Sequence, residues 1–444
     1  PLVSGVEGIN LWSINGAVRY ARYRNKGGEG TTGQAITQKT TNWKFSTIFE
    51  PFDFMRFRLT RSRDLRAAGY RDLFINSPSV PDSAQGSNPW RPWQQDGNTL
   101  RAERWGTITS GNPALKPEKS DTLTVGFVLS PGGWAQGMRL SADYYSIRVK
   151  DGIYAPFGGA SPITACWEGS GNRDPVIITV VGDHDNNPAT PDQEFQIQDP
   201  SSPPVNGQFD ETLDACQDIQ FALNPDGSRD LTNILSYYTG RAINNDPFQR
   251  RGIDFSWDYI FPLNRVVESI PGSLSLTVRG TRALESSGVS RDFFGNVEYI
   301  DTVGQIRTTT FIPGLPSTPR WTGNIITSYL MGDLSLSLSA RYIGGAKLDK
   351  EWGDSPDDEN YINELGQYLG GSVDNNFVKP YFNFALNGSY NLQVGGLRQF
   401  QVFGSINNLF DKDPPFSGGY VSGASPQFHD IMGRSYRMGV RLRF

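Results

Sequence analysis

The chain has 444 residues, with 41 Lys and Arg against 46 Asp and Glu, a formal charge of −5. That mild acidity argues against a nucleic-acid binder, which carries a clear basic excess. No stretch approaches 18 uninterrupted apolar residues, which excludes helical membrane spans. Only 37% of residues are hydrophobic, yet aromatics reach 12% beside 49 Gly and 29 Pro. This is the balance of an all-β chain rich in turns, a class that includes transmembrane barrels with their weak signal per strand.

In chain order the strands predicted are Ser13–Arg24, Thr40–Glu50, Met55–Ser62, Asp121–Ser130, Arg139–Val149, Pro247–Phe261, Ser273–Leu284, Arg320–Leu330, Leu334–Ile343, Tyr381–Leu392, Gln399–Asn407 and Arg434–Phe444. Within them the pattern has period two. Leu334, Leu336, Leu338 and Ala340 alternate with Ser335, Ser337 and Ser339, and Tyr436, Met438, Val440 and Leu442 alternate with Arg437, Gly439, Arg441 and Arg443. Successive side chains of a strand point to opposite faces, so each strand has an apolar and a polar face. A soluble sandwich with its apolar faces inward would show the same alternation in any single strand.

The links between the strands separate the two architectures. Short links at 51–54, 131–138, 262–272, 331–333 and 393–398 alternate with long ones at 25–39, 63–120, 150–246, 285–319, 344–380 and 408–433. Strict alternation puts every long loop at one rim, as in outer-membrane barrels with short periplasmic turns and long extracellular loops. In lipid every backbone polar group needs a partner within the protein, so a closed antiparallel barrel is the all-β way across. With Phe444 on the periplasmic side, counting back through twelve strands makes Ser13–Arg24 run outward. Counting Asn233–Asn244 as a thirteenth would put 83 residues, 150–232, on the short-turn rim, so it is read as loop or as a strand extension.

Three motifs carry a resemblance. Gly111-Asn112-Pro113-Ala114-Leu115-Lys116-Pro117-Glu118-Lys119-Ser120 resembles the NPxLKPExS stretch of TonB-dependent outer-membrane receptors, where it precedes a barrel strand. Asn407-Asn408-Leu409-Phe410-Asp411-Lys412 is similar to that family's NLFDK element near the end of the penultimate strand, and Gly433-Arg434-Ser435-Tyr436 to the start of its last strand. Arg251-Gly252-Ile253-Asp254 is a weaker match to a strand-opening motif. The resemblance implies an all-β, antiparallel transmembrane barrel portion, about 12 strands of a barrel of about 22 around a plug. It implies a receptor of the Gram-negative outer membrane that binds a scarce ligand at its outer loops and imports it with TonB-coupled energy. The chain opens at Pro1 without Met, and residues 1–444 are expected to be the C-terminal part of the barrel domain. The plug, the remaining strands and the TonB contact are expected in a missing N-terminal part. A self-contained small porin and a soluble adhesive β-protein are the alternative readings.

Cys166 and Cys216 lie in the longest loop and read as one disulfide in an oxidising compartment, with two unrelated thiols as the alternative. Closing that loop would disfavour the unfolded chain by about 4 kcal/mol in the loop-entropy model. Trp90, Trp93 and Trp105, and more weakly Trp167, offer flat aromatic faces beside polar side chains, which suits a glycan or other small-molecule ligand. Equally, they would serve an interfacial girdle or the loop's own core. Asp183, Asp185, Asn187 and Glu194 have the offsets of a calcium loop, but Pro188 stands where its sharp turn demands Gly, so an acidic solvated turn is the favoured reading. The run Asp354–Asn360 reads as a solvated loop tip. Arg56, Arg58, Arg341, Arg437, Arg441 and Arg443 form a cationic luminal face that suits anionic solutes, an acidic plug surface or simple solvation. The two histidines, His184 and His429, suggest no metal pair or acid–base relay. No nucleophile elbow or phosphate-cradling glycine loop is visible, so neither catalysis nor a cofactor is expected. The ligand stays open among iron chelates, cobalamin and glycans, with a lean toward a glycan.

Overall fold

The computed structural model describes residues 2–6, 8–27, 33, 35–75, 80–86, 88–90, 103–108, 111–154, 162–171, 177–182, 193–198, 208–238, 242–245, 247–265, 269–291, 297–306, 316–350, 352, 375–393, 399–417 and 424–443. Thirteen strands form one antiparallel meander: β1 (Val3–Val6), β2 (Ile9–Lys26), β3 (Ala35–Phe52), β4 (Met55–Arg66), β5 (Glu118–Leu129), β6 (Met138–Lys150), β7 (Phe248–Pro262), β8 (Ser273–Arg291), β9 (Trp321–Met331), β10 (Leu334–Ile343), β11 (Tyr381–Leu392), β12 (Gln399–Asn407) and β13 (Ser435–Arg443). Each pairs with the next in sequence, and Val297–Asp301 folds back on the upper end of β8 as a fourteenth member. The sheet is open, with β1 and β13 as its edges.

All twelve predicted strands are present. A thirteenth, β1, was not expected; it pairs with β2, Val6 standing opposite Ile9, and continues the short-turn rim. The 25–39 link contracts to residues 27–34, because β2 and β3, 18 residues each, run on past Tyr20 and Thr41 as a hairpin end whose two faces are both largely polar. The 233–244 region belongs to the loops: Arg229–Tyr238 pairs outside the main sheet.

The register separates the faces. Phe49, Phe57, Phe127, Ala142, Phe255 and Gly280 stand opposite one another along a single row from β3 to β8. On the other face Arg58, Gly126, Asp143, Asp254 and Thr281 form the corresponding row. The polar face is the inner one, for loop segments pack against it: Gln38 and Thr40 are buried on that side, and Gln38 donates to the Leu115 carbonyl while accepting from the Ala68 N–H. Among the described residues, none covers the middle of the apolar face. Val18, Leu336, Leu338 and Met438 are all exposed on it, the condition expected of side chains that meet lipid.

The inner face satisfies its polar groups across strands. Arg58 Nε donates to Asp143 Oδ1 at 2.6 Å, reaching past Gly126, where a Cβ would lie 2.0 Å from that oxygen. Glycine at 126 therefore lets an ion pair skip one strand. Gly252 has a similar use: a Cβ there would lie 2.4 Å from the Tyr145 hydroxyl, so the phenol lies flat across β7. Arg56 pairs with Glu50, and Arg279 Nη2 with Asp258 Oδ1 at 2.8 Å. Thr281 donates to Asp254 at 2.6 Å, and hydroxyls bridge Ser141 to Ser256 and Ser328 to Ser337. Such pairs contribute little stability in a wet lumen, but they neutralise Arg56, Arg58 and Arg279 along the polar wall.

Candidate functional site

The long loops rise from one rim, and the two longest fold together. Residues 67–117 follow β4 and residues 151–247 follow β6, with β5 and β6 between them. In the loops, Glu103–Ile108 pairs in parallel with Arg229–Tyr238, so that Gly106, Thr107 and Ile108 stand opposite Ser236, Tyr237 and Tyr238. Arg229–Tyr238 also pairs antiparallel with Ile219–Leu223, and Glu103–Ile108 with Val80–Gly86, giving a four-stranded loop sheet. Helices α2 (Pro162–Gly169) and α3 (Asp214–Gln217) are joined by the Cys166–Cys216 disulfide.

Between these elements lies a core with Trp90, Trp105, Ile163, Trp167, Phe221 and Ile234 at its centre. Trp90 sets its edge against Trp167, Phe209 and Phe221 at centroid distances of 5.4, 5.9 and 5.7 Å, the T-shaped geometry that ring quadrupoles favour. Its indole N–H donates to the Gln208 carbonyl at 3.3 Å, and its backbone N–H to Asn88 Oδ1 at 3.0 Å. The reading of these tryptophans as ligand-facing surfaces needs correction. Trp90, Trp105 and Trp167 are 3%, 3% and 2% exposed, and the flat faces that could have stacked on a sugar are spent inside the loop unit. Trp93 lies outside the described residues. At the margins of the unit, hydroxyl and amide donors from Thr212 hold the Asp210 carboxyl below the usual range, and those of Ser228 do the same for Asp226. Both carboxylates close tight Asx turns rather than standing free for a ligand.

The motif residues fasten this unit to the barrel rim. Asn112 Nδ2 donates to the Ala242 carbonyl at 2.9 Å, while Asn112 Oδ1 receives the Ala114 N–H. Asn244 Oδ1 accepts from the Lys116 N–H at 2.8 Å, and Asn244 Nδ2 returns a bond to the Lys116 carbonyl. Leu115 is buried with Ala68, Leu73, Phe74 and Ala242 around helix α1 (Tyr70–Phe74). Glu118, closing the motif, takes Arg66 from the facing strand through Nε at 2.5 Å. The second motif is a strand stop. Asn408 and Asp411 take positive φ values of 49° and 53°. Asn408 exchanges two hydrogen bonds with Lys412, and Asp411 Oδ1 accepts from the Arg434 N–H at 3.1 Å, tying the end of β12 to the start of β13.

Two further loops are pinned. Asn376, fully buried, donates to the carbonyls of Asp349 and Trp352 and accepts the Asp349 N–H. Nothing in the sequence around Asn376 marked it out, because its partners are backbone atoms some 24 to 27 residues away. His429 is 3% exposed and sets its ring edge-on to Tyr381 at 5.4 Å, with both ring nitrogens lacking a hydrogen-bond partner among the described residues. Arg341 lies near it, Asp430 adjoins it in sequence and accepts from Asn383, and Lys412 lies over the other ring, Tyr381. Burial first, and the Arg341 charge second, lower the His429 pKa below its ordinary value. The folded chain thus binds this proton less well than the unfolded one. The loop's stability is complete above about pH 6.5 and falls as pH drops below that value. Protease cleavage within residues 424–433 is expected to rise between about pH 7.5 and about pH 5, and His429→Phe to flatten that rise.

Of the remaining sequence candidates, Arg56, Arg58, Arg341, Arg437 and Arg441 share the polar face. Arg443 stands opposite Gln399 at the short-turn end of that face. Arg56 and Arg58 are ion-paired, whereas Arg441 donates to Gln401 Oε1 at 3.2 Å and lies over the Phe403 ring. Asp183, His184, Asp185 and Asn187 lie outside the described residues, as does the 354–360 run. Glu194 has its backbone opposite Val181 in a two-stranded ribbon. Among the described residues, no group of three or more acidic, His or Cys side chains is placed to hold a metal ion.

An antiparallel meander with an apolar outer face, a paired polar inner face and all its long loops at one rim defines an outer-membrane β-barrel protein. The family model for the β-barrel of TonB-dependent receptor-like proteins matches residues 8–409, and the chain belongs to that family. Its place is the outer membrane of a Gram-negative bacterium. No curated protein matches the chain. Among solved structures it is similar to the FrpB iron transporter of Neisseria meningitidis, at 13% identity and a TM-score of 0.46 over 97% of this chain and 43% of that one. The siderophore receptor PirA of Acinetobacter baumannii gives 13% and 0.47 over 97% and 46%. The enterobactin complex of the ferric enterobactin receptor PfeA of Pseudomonas aeruginosa, an R480A mutant, gives 15% and 0.47 over 91% and 41%. The chain spans less than half the length of these three proteins.

Proposed function

We propose that this chain forms the loop surface and part of the wall of an outer-membrane receptor that captures a scarce ligand and imports it with energy delivered through TonB. The observation that carries the reading is the family match over residues 8–409. The two open edges, β1 and β13, support a working unit with further strands, because an unpaired strand edge cannot remain bare in hydrocarbon. On this reading those strands, a plug and the TonB contact come from segments outside residues 1–444. Burial of Trp90, Trp105 and Trp167 removes the reason for preferring a glycan. The inner wall of Arg–Asp pairs and hydroxyls suits a polar ligand carrying both donors and acceptors. The test is uptake by a strain with the gene disrupted, measured for a ferric chelate, cobalamin and an oligosaccharide, with and without a protonophore. One of the three should fall to background in the disrupted strain and also when the proton gradient is collapsed. Gene-dependent uptake that survives collapse of the gradient would make the protein a passive pore.

A further inference from the structure

The loops that follow β8, β10 and β12 meet in a second core, distinct from the tryptophan unit. Ile306 from the first loop, Ala346, Leu348 and Val378 from the second, and Phe428 from the third pack together, with Trp352 at the margin. Backbone bonds tie the first two loops. The Ile306 N–H donates to the Lys347 carbonyl at 2.9 Å, and the Lys347 N–H to the Gly304 carbonyl at 2.8 Å. Lys350 Nζ adds a bond to the Asp301 carbonyl at 2.9 Å. The third loop enters this core with Phe428.

Phe428 belongs to a short strap, residues 425–430, that also lies on the inner wall. The Ser425 carbonyl accepts from the N–H groups of Phe428 and His429, at 3.2 and 2.9 Å, so one turn carries both side chains. His429 sets its ring edge-on to Tyr381, which stands opposite Ile343 at the upper end of the inner face, and all three are buried. Asp430 Oδ2 accepts from Asn383 Nδ2 at 3.2 Å, and Asn383 stands opposite Arg341. The strap thus bridges wall and core, yet its hold on the wall is slight. Ser425 Oγ and both His429 ring nitrogens are buried without a hydrogen-bond partner among the described residues, so ring packing and the Asp430–Asn383 bond carry it.

A charge on His429 would undo that hold. The charged groups around the ring come from each neighbouring element: Arg341 from β10, Lys412 with its Nζ 5.5 Å from the Tyr381 ring centre, and the carboxylates of Asp413 and Asp430. Arg341 repels an imidazolium. Asp413 and Asp430 act on the Tyr381 hydroxyl, and Asp430 is already taken by Asn383 and by the Met432 N–H. A buried imidazolium with no acceptor placed for it favours the state in which it reaches water. We propose that residues 425–430 are a proton-released strap: a proton taken up by His429 frees the turn from the inner wall, withdraws Phe428 from the second core, and opens the three loops together above Arg341 and Asn383. The tryptophan unit, whose described residues include no histidine, stays closed. The device is built from the wall and loops of this chain and is independent of which ligand the receptor imports.

The test is hydrogen exchange of the protein in mild detergent at about pH 7.5 and about pH 5, with labelling times scaled for the pH dependence of intrinsic exchange. The open state should gain population by up to about thirtyfold, the ratio of charged to neutral imidazole at the lower pH for an ordinary histidine. Amides of 304–306, 346–348 and 376–378 should therefore lose protection together with those of 428–430, while Glu103–Ile108 and Arg229–Tyr238 keep theirs. His429→Phe fills the ring site without a titrating group and leaves Asp301, Asp349, Asp413 and Asp430 in place, so its core should not respond to pH. Phe428→Ala should keep the response of the strap and remove that of the core. A core response that persists in either variant would overturn the proposal, as would an equal loss of protection in the tryptophan unit. Exchange at the His429 C2 hydrogen, read in the unaltered protein, needs no variant to fold. Its midpoint should coincide with that of the core amides, and two separate midpoints would overturn the proposal as well.

Discussion

Trp90→Ala should leave the barrel strands unchanged and weaken the loop unit by about 3–5 kcal/mol, the usual cost of emptying a large aromatic site in a packed core. The effect is large because Trp90 is the hub of the unit rather than a side chain on its margin. It meets Trp167 from α2, Phe221 from the Ile219–Leu223 strand, and Phe209 from the turn between them. Its indole N–H would also leave the Gln208 carbonyl without that donor. Hydrogen exchange is the measurement that separates loop from barrel. Amides of Glu103–Ile108 and Arg229–Tyr238 should lose protection together, since one pairs with the other, while those of β10 and β11 should not change. Reducing the Cys166–Cys216 disulfide should weaken the same amides, and the two effects should be less than additive because both act on one cluster. Independent loss of protection in the two loops would mean that they do not form one unit.

Coupling of these loops was the part of the protein hardest to read from sequence. Period-two alternation is local, so Leu334–Ile343, with Leu and Ser in strict succession, announces its strand and both its faces. The same signal fades in β3 above Thr41, where Lys39, Gln38 and Thr37 are polar on both sides, and the hairpin was read as ending too early. The parallel pairing of residues 106–108 with 236–238 has no local signature: the two segments are some 130 residues apart, and the strand signal around 233–244 does not say which segment it pairs with. Tryptophan in a polar loop is ambiguous for a physical reason, because the same ring can stack on a sugar or fill a small core. Trp90, Trp105 and Trp167 fill a core because a disulfide and a second loop bring enough apolar surface to surround them. The family motifs, by contrast, were legible as strings while their use was not. Asn112, Lys116 and Asn408 act mainly through backbone hydrogen bonds that hold loop to rim and strand to strand, so they describe how the barrel is built and say little about its ligand.

The second large effect belongs to the outer face. Leu338 stands opposite Thr327 and Leu386, with Leu336 and Leu334 toward the short turns and Ala340 and Tyr342 toward the long loops, so it lies near the middle of the apolar band. Leu338→Arg should cost about 2–4 kcal/mol, the penalty for a cation near the bilayer midplane on a barrel's lipid face. Its neighbour Ser339 points the other way, opposite Ala385 and Ile326 on the inner face. There Ser339→Arg meets a wall already built from Arg, Asp and hydroxyl groups, and its cost should stay below about 1 kcal/mol. Urea unfolding of the protein in lipid vesicles measures both. A one-residue step along the same strand thus tests the whole assignment of faces, because no difference in local strand propensity between two arginines one residue apart could produce so large a gap. Equal costs would mean that both faces of β10 meet water, and the transmembrane reading of the sheet would fail with them. The reverse order would mean that the polar face is the one turned to lipid, which the buried contacts of Gln38 with Leu115 and Ala68 on that side already oppose.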